Sequence, residues 1–182
     1  MRSRGGGSNR MYQDYKDLLS AFHAHGVKYL VVGGFAVIYH SQPRFTKDMD
    51  LFIKADPANA EATYAALAEF GAPLQGVHPD DFTDRNSFFR FGRDPKGFDI
   101  LPAIPGVDFD AAWERRVEIV VDTATGLKAN FISADDLIAS KLASGRPQDL
   151  ADADAIRKAQ ESQGTQTGKK KLLETKQGGP GQ

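Results

Sequence analysis

The apolar positions of the chain recur with two alternating periods. Between Tyr12 and His25, the residues Tyr15, Leu18, Leu19 and Phe22 fall three and four apart, the spacing of one helix face, and Gly26 follows as a stop. Lys28–Val32 is a short apolar run that reads as a buried strand. Gly33-Gly34 breaks it, Phe35–His40 reads as the next helix, and Met49–Ile53 as a second strand. Asp56-Pro57 sets a capping acid before a proline at the first helical position, opening an Ala-rich helix to Phe70 that Gly71 closes. Phe88–Phe91 and Phe98–Leu101 flank a Gly92–Gly97 turn and predict an antiparallel hairpin. Phe109–Arg116 predicts a short helix, and Val117–Val121 with Leu127–Ile132 a second strand pair around a glycine-containing turn. Ser133 with Asp136 predicts a capped helix to about Ala143, and Pro147 opens a last helix to about Lys158. The class expected is α+β (mixed α/β): a mixed sheet with helices packed on it and helices at the C-terminal end.

Composition narrows the chemistry. The 182 residues are 41% apolar and contain no Cys, which excludes disulfide scaffolds, zinc fingers, iron–sulfur sites and thiol nucleophiles. No apolar run approaches the ~18 residues of a membrane-spanning helix, and the Gly/Ser/Arg-rich opening lacks the apolar centre of a secretory leader. No membrane role is expected, and a cytoplasmic location is. Residues 1–10 read as a disordered arm, 11–159 as one domain, and 160–182, rich in Gln, Gly, Thr and Lys, as a disordered basic tail. The net charge of −1 hides an uneven spread: each end carries +3, leaving 11–157 at −7. An acidic body disfavours broad nucleic-acid binding and suits a site that concentrates carboxylates around a divalent metal, although acidic solubility alone would produce the same balance.

The stretch YLVVGGFAVIYHSQPRFTKDMDLFI, residues 29–53, carries the sharpest signal. Gly33 and Gly34 sit between a strand and a helix, where the absence of side chains lets a phosphate approach free N–H groups; a tight turn is the plain alternative. Asp48 and Asp50 stand two apart at the start of the next strand, so both carboxylates face one side while Met49 faces the core. Two such charges repel unless a hard cation is shared between them, or unless they are simply solvated in a loop.

Hydrophobic strand, Gly-Gly, helix, then Asp-x-Asp on a strand resembles the signature of the DNA polymerase β-type nucleotidyltransferase superfamily. In that fold a later strand supplies a third carboxylate, and Asp99, within Gly97-Phe98-Asp99-Ile100-Leu101, is the fitting candidate. Three further stretches sharpen the likeness: Arg44-Phe45-Thr46-Lys47-Asp48-Met49-Asp50, Asp136 through Ala143, and Arg146-Pro147-Gln148-Asp149-Leu150-Ala151-Asp152. Together they are similar to the minimal nucleotidyltransferases of the AbiEii/MNT kind, associated with bacterial toxin–antitoxin and phage-defence loci. The likeness covers roughly residues 12–158. It departs at Gly34, where many superfamily members carry Ser.

The resemblance implies transfer of a nucleoside monophosphate from an NTP (ATP among the candidates) to an acceptor hydroxyl on RNA, tRNA or protein. It implies one or two Mg²⁺ ions, or Mn²⁺, held by Asp48, Asp50 and Asp99, with Gly33 and Gly34 cradling phosphate. Arg44 either clamps a triphosphate oxygen or balances the acidic cluster. Lys141 compensates its own helix dipole on spacing alone, and by the resemblance reaches nucleotide phosphates. Asp149 is either a first-turn helix acid or the group that orients Lys141 and touches the nucleotide. Arg90 reads as a surface charge, and His40 and His78 as ordinary helix-end and loop residues. A small-molecule transferase of the antibiotic kind is a second expectation, though its acceptor pocket would need added C-terminal elements for which little chain remains. An inactive antitoxin-like module with a cognate partner protein is a third, and a non-enzymatic RNA binder using the basic ends, which the acidic body disfavours, a fourth.

Overall fold

The computed structural model describes residues 12–93 and 96–176, so the arm expected over 1–10 lies outside the described residues. The elements run α1 (Gln13–Ala24), β1 (Tyr29–Val32), α2 (Gly33–His40), β2 (Met49–Ile53), α3 (Pro57–Phe70), a 3-10 turn (Pro79–Thr83), β3 (Phe89–Arg93), β4 (Lys96–Leu101), α4 (Phe109–Glu114), β5 (Val117–Asp122), β6 (Leu127–Phe131), α5 (Ala134–Ser144) and α6 (Pro147–Lys176). This is the expected mixed α+β architecture. The six strands form one sheet in the order β3-β4-β2-β1-β6-β5. β2 with β4 and β1 with β6 pair parallel; β1 with β2 and the two outer hairpins pair antiparallel.

The capping chemistry works as the sequence predicts. The Asp56 carboxylate accepts the Asn59 N–H at 2.7 Å, Ser133 accepts from Asp136 N–H at 3.1 Å, and Gly71 and Gly145 close their helices in the left-handed conformation. β1 is buried along its whole length, as suits a central strand covered on both faces. One face is packed by α1 and α3, through Tyr15 and Phe70 against Phe98 and Phe22 against Tyr29. On the other, Phe109 of α4 packs edge-on against Phe52, and Arg115 clamps Asp136 of α5 with two hydrogen bonds of 2.7 and 3.0 Å.

Two expectations are corrected. Gly33-Gly34 is not a turn ahead of α2 but its first two residues. The last helix does not stop near Lys158: α6 continues to Lys176, so residues 160–176 of the expected disordered tail are helical. The Lys, Gln and Glu of that stretch are good helix formers with no proline among them. Packing still ends early, since Ala153 and Ile156 are buried whereas Gln160 to Gln166 are exposed. Over residues 160–166 the helix is exposed and carries no large apolar side chain, so no core holds that stretch.

Asn59 ties the strands to α3. It accepts from Lys28 N–H at 2.8 Å and donates to the carbonyls of Lys28 and Lys54 at 3.0 and 2.9 Å, joining the entry of β1 to the exit of β2. Asn59→Ala strands these buried groups and is expected to cost about 2–3 kcal/mol in denaturant unfolding, with far-UV circular dichroism unchanged in buffer.

Candidate active site

The site is built by strand register. Val32, the last residue of β1, lies opposite Asp50; Asp50 lies beside Asp99 of β4; Asp99 lies opposite Arg90 of β3. Cross-strand neighbours share a face, so Asp50, Asp99 and Arg90 form a row that ends at the Val32–Gly33 step. Gly33 has φ +64°, and a Cβ there would overlap the Asp50 carboxylate, whose Cγ is 2.8 Å from the Cβ position. Both backbone shape and space demand glycine.

Asp50 and Asp99 are register partners on β2 and β4. Burial, then the hydrogen bond and charge of Asp99, then the charge of Asp48 push the Asp50 carboxyl up to about 7, with Lys141 pulling the other way. Asp50 is therefore a much weaker acid than an ordinary carboxyl group. Asp99 is further gripped by Arg90, Nε to Oδ1 at 2.6 Å and Nη2 to Oδ2 at 3.0 Å. Arg90 also lies 5.5 Å from the Phe88 ring centre. It is thus not the free surface charge its sequence context suggests. Its contact arises from a hairpin register that a Phe-Phe-Arg-Phe run does not disclose.

Asp48 stands one residue ahead of β2, with its carboxylate over Gly97, the Cγ 3.1 Å from where a Cβ would be. It adds repulsion to Asp50. Among the described residues, no three His, Asp or Glu side chains gather as a metal-holding group. The structure brings Asp50 and Asp99 together and sets Asp48 beside them.

A second cluster comes from the far end of the chain. Lys141 of α5 lies 3.2 Å from Asp149 and 3.1 Å from Asp152, both buried on α6. Arg146 pairs with Asp149 at 2.7 Å, and Gln148 donates to Asp152 at 3.0 Å. Burial alone would raise the Asp149 carboxyl, but hydrogen bonds from Arg146, Ser144 and Lys141 outweigh it and hold it at about 2. Arg44 joins this cluster rather than the Asp48–Asp50 step: its Nη1 donates to Asp152 at 2.6 Å. Asp152 is the residue that sequence reasoning left unassigned. Its available signal was the i, i+3 spacing from Asp149 on one helix face.

Gly34 has no positive φ, yet a Cβ there would run into the Thr46 hydroxyl and come within 3.0 Å of the Thr46 Cβ. His40 Nε2 meets the Ile132 carbonyl at 2.7 Å, and His78 is the cap residue of the 3-10 turn.

The glycine step that opens α2 thus faces Asp50 of β2, which lies beside Asp99 of β4. Residues 10–159 match the family described as nucleotidyltransferase of unknown function (DUF6036), and the chain belongs to that family. No curated protein matches it. Six chains of solved structures do. One is the lincosamide antibiotic adenylyltransferase LnuA bound to lincomycin, at 17% identity and a TM-score of 0.52, over 82% of this chain and 98% of that one. At that identity the likeness establishes the fold, a nucleotidyltransferase-type mixed sheet. Among the described residues no helix is long and apolar enough to cross a membrane.

The raised Asp50 carboxyl has a signed consequence for stability. Between its ordinary 3.8 and about 7, the folded protein holds a proton that the unfolded chain has released, so stability from this group is present below pH 4 and lost as pH rises through 7. Asp50→Asn removes that loss. In metal-free buffer the variant is expected to melt about 2–4 °C above the parent at pH 8, a shift of the order of 1 kcal/mol, with the gap closing towards pH 4.

Proposed function

We propose that this protein transfers a nucleoside monophosphate from an NTP to an acceptor hydroxyl and releases pyrophosphate. What supports this reading is one observation: Asp50, in register beside Asp99, lies against the start of α2 at Gly33, where no side chain caps the helix. A buried and a half-buried carboxylate side by side make an all-oxygen donor set whose repulsion a cation would relieve, which suits Mg²⁺ or Mn²⁺. Asp50 and Asp99, with Asp48 beside them, are the residues that would hold such an ion, and its chemistry there is to neutralise triphosphate charge and polarise the acceptor hydroxyl.

The chain's own groups do the positioning. The first N–H groups of α2 face phosphate, since the capping position is Val32 and offers no side-chain oxygen. Lys141, steadied by Asp149 and Asp152, offsets charge on the departing pyrophosphate. Asp99 accepts the acceptor's proton as its oxygen bonds to the α-phosphorus and the bond to pyrophosphate breaks. Little covalent work is asked of the protein, so placement and charge account for the rate.

For the acceptor, a small molecule gains support from the lincosamide adenylyltransferase. This chain matches 98% of that protein's length, so the expectation that a small acceptor needs added C-terminal elements loses its force. The RNA, tRNA or protein acceptors of the AbiEii/MNT kind, with a cognate partner in a defence locus, form the second reading and rest on the motif order around Asp136–Asp152. Both place the protein in the cytoplasm, where NTPs and Mg²⁺ are supplied. Asp50 and Asp99 side by side in the sheet weigh against an inactive module, because adjacent acids cost a scaffold stability.

Labelled NTPs offered with Mg²⁺ and with tRNA, protein or hydroxylated small-molecule acceptors test the assignment. Asp50→Asn and Asp99→Asn are each expected to lower transfer about a hundredfold or more without loss of folding. Undiminished turnover in the double variant would end the proposal.

A further inference from the structure

The sheet ladder holds Asp50 and Asp99 in place as partners on β2 and β4, but it does not reach Asp48. Asp48 ends the irregular stretch 42–48, and the pairing of β2 with β4 begins one residue later, at Met49 beside Phe98. Where its carboxylate stands therefore depends on what fixes the end of that stretch.

Tyr15 of α1 does so from behind the sheet. It is fully buried, and its hydroxyl donates to the carbonyl of Lys47, the residue before Asp48. Burial, and then the charge of Asp48, push the Tyr15 hydroxyl above its ordinary range, so it keeps its proton and can donate. The same ring packs edge-on against Phe98, the residue before Asp99, with 5.0 Å between ring centres. It packs edge-on against Phe35, which follows the Gly33-Gly34 step, at 5.4 Å. Side chains alternate along β4, so Phe98 faces α1 while Asp99 faces the opposite side. One side chain thus touches the immediate chain neighbours of Asp48, of Asp99 and of the glycine step. Edge-to-face contacts orient the ring and so aim its hydroxyl. Phenylalanine would fill the same space, which leaves the Lys47 carbonyl as the use of the hydroxyl.

We propose that Tyr15 is a positioning residue for Asp48: by holding the Lys47 carbonyl it sets the Asp48 carboxylate beside Asp50 and Asp99, where the three would hold a divalent ion. The inference rests on the nucleotidyl-transfer reading and extends its geometry to a residue outside the site.

The test is Mn²⁺ titrated alone into the full chain by calorimetry, with melting curves and far-UV circular dichroism alongside. Tyr15→Phe keeps the ring contacts and deletes the hydroxyl. It is expected to bind Mn²⁺ about tenfold more weakly, as when a partner that orients a metal ligand is removed. Because Lys47 is exposed and water can serve its carbonyl, the variant melts within about 4 °C of the parent with an unchanged spectrum. Where transfer is measurable, kcat falls and KM for the NTP stays near the parent value. In an Asp48→Asn background the same substitution causes no further loss of Mn²⁺ affinity, since the hydroxyl acts through that carboxylate. Phe22→Leu, a change in the α1 core against Tyr29, lowers the melting temperature at least as much and leaves Mn²⁺ affinity unchanged. Three results overturn the role of Tyr15 and leave the transfer reading standing: Tyr15→Phe binding Mn²⁺ as tightly as the parent, an equal loss in the Asp48→Asn background, or a matching loss in Phe22→Leu. A parent chain that binds no Mn²⁺ overturns both.

Discussion

Two carboxylates pressed together inside the sheet are the constraint on which the rest of the site depends. Parallel pairing of β2 with β4 puts Asp50 directly beside Asp99, and burial makes a second negative charge there costly. The protein meets this cost from two sides: the Asp50 carboxyl is shifted up towards its neutral form, and the Arg90 fork holds Asp99. Gly33 and Gly97 lack the Cβ atoms that would overlap the Asp50 and Asp48 carboxylates. An apolar pair would have served stability better at this central position, which is why the acids there read as chemistry.

Facing that acidic row is a cluster of opposite balance. Lys141, Arg44 and Arg146 are set around Asp149 and Asp152, three cations against two acids. Asp152 couples the segment before β2 to α6 across 108 residues of sequence, so the cations are placed by the packing of α5 and α6 rather than by local spacing. A polyphosphate with its counter-ion needs both signs of charge close together, and the protein body, acidic as a whole, reserves this edge for the positive one.

Local chemistry was readable wherever it depends on residues close in sequence. Asp56-Pro57, Ser133 with Asp136, Gly71 and Gly145 each satisfy a helix end within a few residues, and the helices they bound fall where the pattern places them. The extent of α6 was misjudged because low apolar content signals the absence of a core, not the absence of helix. Asp50 and Asp99 stood out as carboxylates inside apolar strands. Arg90 and Asp152 did not, because each acquires its partner from another element.

The sequence by itself determined the elements, the mixed α+β class and the carboxylates worth watching, since propensity, capping and period are properties of short stretches. Only the tertiary structure decided that Asp50 lies in register beside Asp99 with Asp48 one residue ahead of the strand, that Arg90 closes on Asp99, and that Arg44 turns to Asp152. Those outcomes are set by strand register and helix docking. A shift of one residue in either would exchange every partner on the face, and nothing local in the chain records which register wins.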